Sequence, residues 1–185
     1  MHAVVLVAPG SEEIETVTLV DVLVRGGVQV TLASCAADGA LQITASRGVK
    51  LVADCHIGEL PAHPWDLVAI PGGVPGSEAI RDCPAAIALL RAQAAEGRWR
   101  AALCAAPALV LAHHDLLGAA KVTSHPGFWE QLPATQRSRE RVVVDEATRL
   151  ITSQGPGTSI EFVLAILEQL AGPELAHQVA APMVL

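Results

Sequence analysis

The chain has 185 residues, of which 51% are hydrophobic, 17% charged and only 3% aromatic, and its formal net charge is −7. That length suits one domain, residues 1–185, and a core of small aliphatics suits parallel strands covered by helices on both faces. The acidic balance excludes a duplex nucleic-acid binder: the one basic stretch, Arg137, Arg139 and Arg141, is interleaved with Glu140 and reads as a solvated loop.

The N-terminal MHAVVLVAPGSEE has no basic lead and no cleavage site, so residues 3–8 read as a first buried strand rather than a signal peptide. No apolar stretch reaches the ~18 residues a membrane span requires, and a cytoplasmic protein is expected. Pro9-Gly10-Ser11 is turn chemistry, with Ser11 placed to cap a helix opened by Glu12, Glu13 and Glu15 and ended at Arg25 by Gly26-Gly27. Residues 28–33 give a second strand, so the chain opens β-α-β, the unit of a parallel sheet. Residues 41–44 and 49–53, split by Ser46-Arg47-Gly48, read as an antiparallel hairpin appended to the sheet edge.

Residues 66–70 form another buried strand, closed by Pro71-Gly72-Gly73, and a helical region follows over 77–96 with a break near Pro84. Residues 100–103 are a strand running directly into Cys104, followed by a helix over 106–117 ended by Gly118. Residues 122–124 read as a short strand ending at His125-Pro126, and 141–144 and 150–153 as a strand pair. Thr158 with Glu161 fits a T-x-x-E capping box opening a final long helix.

The four cysteines, Cys35, Cys55, Cys83 and Cys104, lie 20, 28 and 21 residues apart with no C-x-x-C pair. This argues against a disulfide framework in a reducing compartment, and the histidines do not supply paired ligands for zinc; neither metal nor cofactor is expected. Cys35, Cys55 and Cys83 are assigned as small buried hydrophobes. Cys104 differs, because it stands where a strand gives way to a helix, at the sheet edge where open α/β proteins bind ligands. The unpartnered first amides of the helix and its dipole are expected to lower its thiol pKa. The flexible amides of residues 71–73 end at the same edge. Glu12 and Glu13 are read as ordinary first-turn charge, whereas Glu15, one turn along, is placed to face inward as a carboxyl whose pKa burial would raise.

The strings APGSEEIET, SRGVKL, PGG, LCAAPA, TSHP, SQGPGTSIEF and AAPMVL together resemble the ThiJ/PfpI superfamily, in particular its branch of YajL-like and Parkinson-disease-protein deglycases. The match is collinear over essentially the whole chain. It implies a flavodoxin-like three-layer sandwich with a mostly parallel sheet, of the class I glutamine amidotransferase-like kind, and a homodimer. By motif, Cys104 is similar to the family's nucleophile and oxidation-sensitive thiol on a strained elbow, and Glu15 to the protonated glutamate that bonds its sulfur. Gly73 and Ala105 would supply oxyanion amides, and His125 matches the histidine lining the pocket. Arg25, Arg47, Gly72 and Pro182 fall at positions of the pocket rim or dimer contact. Protease-like members carry a histidine directly after the cysteine; Ala105 stands there instead, which argues against a Cys-His peptidase.

The reading that follows is a stress-defence enzyme acting on reactive dicarbonyls, or on early glycation adducts of proteins and nucleotides. A second reading makes Cys104 a redox sensor whose sulfinate alters a chaperone or partner surface. A hydrolase or amidotransferase-like activity rests on shared architecture alone, and a purely structural dimer is the remaining alternative.

Overall fold

The computed structural model describes residues 1–61 and 63–185. The first strand, β1 (His2–Val7), lies inside the sheet between two parallel neighbours, as its run of apolar residues on both faces requires. Val4 and Leu6 pack into one layer, and Ala3, Val5 and Val7 into the other. Helix α1 (Glu13–Arg25) follows, then β2 (Gln29–Ser34), β3 (Gln42–Thr44), β4 (Lys50–Val52) and the two-residue β5 (Cys55–His56). After β6 (Leu67–Ile70) come α2 (Val74–Arg81), α3 (Pro84–Ala95) and β7 (Trp99–Leu103). The chain closes with β8 (Val142–Asp145), β9 (Leu150–Ser153), α4 (Ser159–Ala171) and α5 (Pro173–Ala180).

Seven strands form one sheet in the order β5-β2-β1-β6-β7-β9-β8, parallel except for the β8–β9 pair. Leu19, Val22 and Leu23 of α1 and Phe162, Val163 and Ile166 of α4 cover one face. Ile80 of α2, Leu90 of α3 and Val110 cover the other. The three-layer sandwich expected from the sequence is therefore the observed fold. The connections leave β1 first toward β2 and later toward β6, so the strand order reverses between β1 and β6. The crevice at the carboxyl ends of these two strands is where such a sheet receives a ligand.

Several local expectations are corrected. Ser11 does not cap α1: its hydroxyl accepts the Ala8 N–H (3.0 Å), and the Glu12 carboxylate caps instead through the Glu15 N–H (2.8 Å). The β3–β4 hairpin is antiparallel but forms its own two-stranded sheet, while β5 takes the edge beside β2. Backbone bonds from Gly10 to Thr44 (2.8 Å) and from Ser46 to Ser11 (2.9 Å) fold the hairpin over the β1–α1 turn. The helical region before β7 breaks near Pro84 as expected, but α2 begins at Val74, with Pro75 in its first turn where a missing N–H costs nothing.

After Cys104 the expected long helix is a π-helical stretch, Pro107–Ala112, that gives way to a turn. Val122 makes one isolated bridge to Arg137 rather than a strand. The Thr158–Glu161 capping box does not form. Thr158 Oγ1 is held by Ser153 Oγ (2.6 Å) and the Gly155 backbone, and Glu161 pairs with Arg141 (2.7 Å). The final helical region is two helices, divided at Gly172-Pro173. Among the described residues no helix is long and apolar enough to cross a membrane.

Candidate active site

Three turns converge on the switch point. The turn after β1 leads into α1 and delivers Glu15; the turn after β6 supplies Gly72 and Gly73; β7 runs directly into Cys104. The first two are tied by the Glu12 N–H donating to the Gly72 carbonyl (3.0 Å). Cys104 has φ +62, a left-handed conformation that costs a non-glycine residue about 1–3 kcal/mol. The elbow is held by its own backbone: Cys104 N–H donates to the Ser153 carbonyl (3.0 Å), and its carbonyl accepts the His125 N–H (2.8 Å). The backbone amides of Gly73 and Ala105 lie beside the Cys104 sulfur, where they favour its charged form.

Both glycines of the β6 turn are dictated by close approach. A Cβ on Gly72 would collide with the Cys104 Cβ and lie 2.9 Å from its sulfur. Gly73 has φ +83, and a Cβ there would collide with the Gly10 carbonyl. The arrangement packs three backbones around one sulfur atom, which side chains at these positions would prevent.

Glu15 is fully buried. Its Oε2 accepts the Gly72 N–H (2.6 Å), its carboxyl lies beside Cys104 against Gly72, and Oε1 has no partner among the described residues. Burial pushes its pKa up to about 7, against the pull of the Gly72 amide and Cys104. The lowered thiol pKa expected of Cys104 is not what this geometry gives. Burial, and then the charge of Glu15, push the thiol up to about 12, although the Gly73 and Ala105 amides favour the thiolate. The two groups share protons as a unit. With the proton on Glu15, the repelling charge is gone and the two amides favour a thiolate against the burial that still opposes it; with Glu15 ionised, the sulfur stays a thiol.

Above the sulfur lies an open cavity of about 430 Å³, lined by Cys104, Gly73, Arg47, His125, Phe128 and Pro156 among others. His125 is exposed, and its Nδ1 accepts the Gly127 N–H (3.1 Å), so in the neutral ring Nε2 carries the proton. It makes no side-chain bond to Cys104 among the described residues, and the ring is set to donate toward the cavity rather than to strip the thiol. The structure thus brings together Cys104, Glu15, Gly72, Gly73, Ala105, His125 and Arg47. It does not bring Arg25, whose exposed side chain pairs with Asp21 (2.9 Å), or Pro182, which is exposed in the turn after α5. Neither lines this cavity.

Sequence reasoning missed Glu13 as more than helix charge. Its nearly buried carboxylate accepts the Ser46 hydroxyl (2.7 Å) and the Arg47 N–H (2.7 Å), fastening the hairpin that forms one wall. No local pattern announces this, because the partners are more than thirty residues away. Among the described residues no group of three or more His, Cys, Asp or Glu side chains is placed to hold a metal ion.

A cysteine on a left-handed turn, set between two amides beside a buried carboxyl at the switch point, defines a cysteine-centred α/β protein. The chain belongs to the DJ-1/PfpI family, whose sequence profile matches residues 1–169. It is 40% identical over 188 residues to the Parkinson disease protein 7 homolog of Danio rerio, covering 100% of this chain and 97% of that protein. It is 38% identical over 179 residues to DJ-1 homolog A of Arabidopsis thaliana, covering 97% of this chain but 45% of the relative, so it spans under half of that protein. A Caenorhabditis elegans relative named as a glutathione-independent glyoxalase is 35% identical over 186 residues, 99% of this chain and 96% of its own. Among solved structures, oxidized DJ-1 of Toxoplasma gondii superposes with a TM-score of 0.95 at 40% identity, covering 99% of this chain and 97% of that one.

Proposed function

We propose that this protein is a cysteine-dependent, cofactor-independent glyoxalase or deglycase of stress defence, acting on small dicarbonyls and on early glycation adducts of proteins and nucleotides. The observation that carries the reading is the meeting of the Cys104 sulfur, the Gly73 and Ala105 amides and the buried Glu15 carboxyl beneath an open cavity. The glyoxalase name of the Caenorhabditis relative supports the same chemistry.

The Cys104 thiolate adds to the aldehyde carbon of methylglyoxal, forming a C–S bond and an oxyanion that the Gly73 and Ala105 amides receive. Protonation of that oxygen gives a hemithioacetal. Glu15 then takes the proton from the carbon bearing sulfur and returns it to the neighbouring carbon, while the hydroxyl proton is given up and that carbon's oxygen is protonated. A pKa near 7 and an unpartnered Oε1 suit Glu15 to this. The product is a thioester of lactate, and water releases lactate and restores the thiol. His125 donates its Nε2 proton to the substrate's second oxygen, and Arg47 lines the rim.

A homodimer is part of this proposal. Ile14, Val17 and Val24 expose an apolar stripe along α1, and Val52 on β4 is 66% exposed, more apolar surface than a solvated helix needs. Arg25 flanks that stripe. A second reading, Cys104 as a redox sensor oxidised to a sulfinate that Glu15 bonds, draws support from the oxidized state of the Toxoplasma neighbour.

Lactate formation from methylglyoxal by wild type, Cys104→Ser and Glu15→Gln tests the enzyme. Catalytic lactate from wild type is expected, falling by about a thousandfold or more in Cys104→Ser. Dicarbonyl consumption without lactate in all three would leave the sensor reading standing instead.

A further inference from the structure

Cys35 and Cys83 are 48 residues apart in the chain, yet the fold places them side by side. They line a second cavity, of about 570 Å³, that shares no residue with the Cys104 pocket. Cys35 follows β2 and is 4% exposed; Cys83 is the residue before α3 and is partly open to the cavity. The two thiols are close enough to perturb each other's charge, and the first amides of α3, those of Ala85 and Ala86, are placed to favour a thiolate at Cys83. His56 forms part of the wall, with Nε2 against the Ala36 carbonyl (3.3 Å) and Nδ1 accepting the Gly58 N–H (3.3 Å), so its ring is committed to the backbone.

The pair is asymmetric. The S–H of Cys35, and the helix amides against the effect of burial, hold Cys83 down at about 6, while Cys83 and burial push Cys35 well up. The more open sulfur is the one favoured as a thiolate, and the sheltered one is favoured as a thiol.

We propose that Cys83 and Cys35 form a second, redox-active thiol site that takes small hydroperoxides, with Cys83 as the attacking sulfur and Cys35 as the resolving one. The Cys83 thiolate attacks the outer peroxide oxygen; the S–O bond forms, the O–O bond breaks, and the leaving oxygen takes a proton to become water or an alcohol. Cys83 is then a sulfenic acid. The Cys35 sulfur gives up its proton and attacks the Cys83 sulfur, the S–S bond forms, and hydroxide leaves as water. The net change is two thiols plus one hydroperoxide to one disulfide, one alcohol or water, and one water. Two electrons pass from sulfur to oxygen, and an external dithiol reverses the oxidation of the protein.

The test is peptide mapping after an equimolar dose of hydrogen peroxide, with free thiols alkylated before digestion. It is run on the full chain carrying Cys104→Ser, and on wild type in case that variant does not fold. The mapped peptides are distinct from that of Cys104, so the outcome does not depend on the function proposed for that residue. The expected result is a Cys35–Cys83 cross-link within one chain, with the mass of two hydrogens lost, Cys55 still alkylated, and both thiols restored by dithiothreitol. In Cys35→Ala, Cys83 is expected to stop at the sulfenic acid and to be captured by dimedone. Recovery of Cys35 and Cys83 both alkylated, or Cys83 as a sulfinic acid beside an intact Cys35 thiol in the unmutated pair, overturns the proposal.

Discussion

Cys104 and Cys83 each stand just before a helical stretch, each is partly exposed, and at each sulfur two backbone N–H groups favour the charged form. At Cys104 burial and the charge of Glu15 push the thiol up to about 12. At Cys83 the S–H of Cys35 leads the opposing causes, and the thiol falls to about 6. With the amides matched, two things decide the outcome: the deeper burial of Cys104, and the side chain next door, which is either a carboxyl that can carry the negative charge itself or a thiol that can only donate to it. A cysteine at the start of a helix is thus not reactive by position alone. At Cys104 the charge becomes available only when Glu15 holds a proton, which couples nucleophile and acid in a way the Cys83 site lacks.

The largest effect expected from this contrast is in thiol labelling. At a pH of about 6.5, limiting iodoacetamide is expected to modify Cys83 faster than Cys104 by about tenfold or more, because alkylation follows the thiolate fraction. Quantifying the two peptides over time reads the ratio. Cys35→Ala should slow Cys83 and leave Cys104 unchanged, while Glu15→Gln should speed Cys104 by removing the adjacent charge. If Cys104 is consumed first in wild type, the neighbour argument fails and the paired amides dominate after all.

The elbow half of this comparison was legible in the sequence, and the dithiol half was not. Cys104 directly follows a buried strand, Gly73 lies in the turn after another, and Glu15 is in the first turn of the helix after a third. The apolar runs of those strands are unmistakable, so the strand ends bring the three to one edge. Their motif strings carried the rest. Cys35 and Cys83 sit after β2 and before α3, and only tertiary packing brings them to one cavity; no spacing encodes that. Ser11 and Thr158 failed as caps for a related reason. Each hydroxyl had a competing buried partner, Ala8 in one case and Ser153 in the other, that a local pattern cannot see.

A smaller effect is expected in stability, and it isolates Glu15. Its pKa is raised from 4.5 to about 7 in the folded chain. The unfolded chain therefore releases this proton first, and between those values the folded state binds more protons than the unfolded one. Stability then falls as pH rises through that window, by on the order of 3 kcal/mol in total. Glu15→Gln removes the titration while keeping an acceptor for the Gly72 N–H. Thermal melts should show the variant more stable than wild type at pH 8 and the two converging near pH 4. A variant that melts lower at both pH values would mean that packing at Glu15, rather than its charge, is what the elbow depends on.

The smallest effect concerns Glu13, two residues earlier on α1. Although burial acts to raise it, the Ser46 hydroxyl and the backbone amides of the hairpin hold its carboxyl below the usual range. Its contribution to stability is therefore present above the unfolded pKa and is lost as pH falls through the folded one, opposite in sign to Glu15. Glu13→Gln leaves an acceptor for Ser46 but weakens charge-assisted bonds, a loss of about 1 kcal/mol at neutral pH. The loosened hairpin carries Ala45, Ser46 and Arg47 of the pocket wall, so KM for methylglyoxal should rise by about fivefold, the equivalent of that energy, with kcat unchanged. Were kcat instead to fall as far as in Glu15→Gln, the acids of the first turn would be acting as a group, and the neighbour that helps to separate Cys104 from Cys83 would lose its special standing.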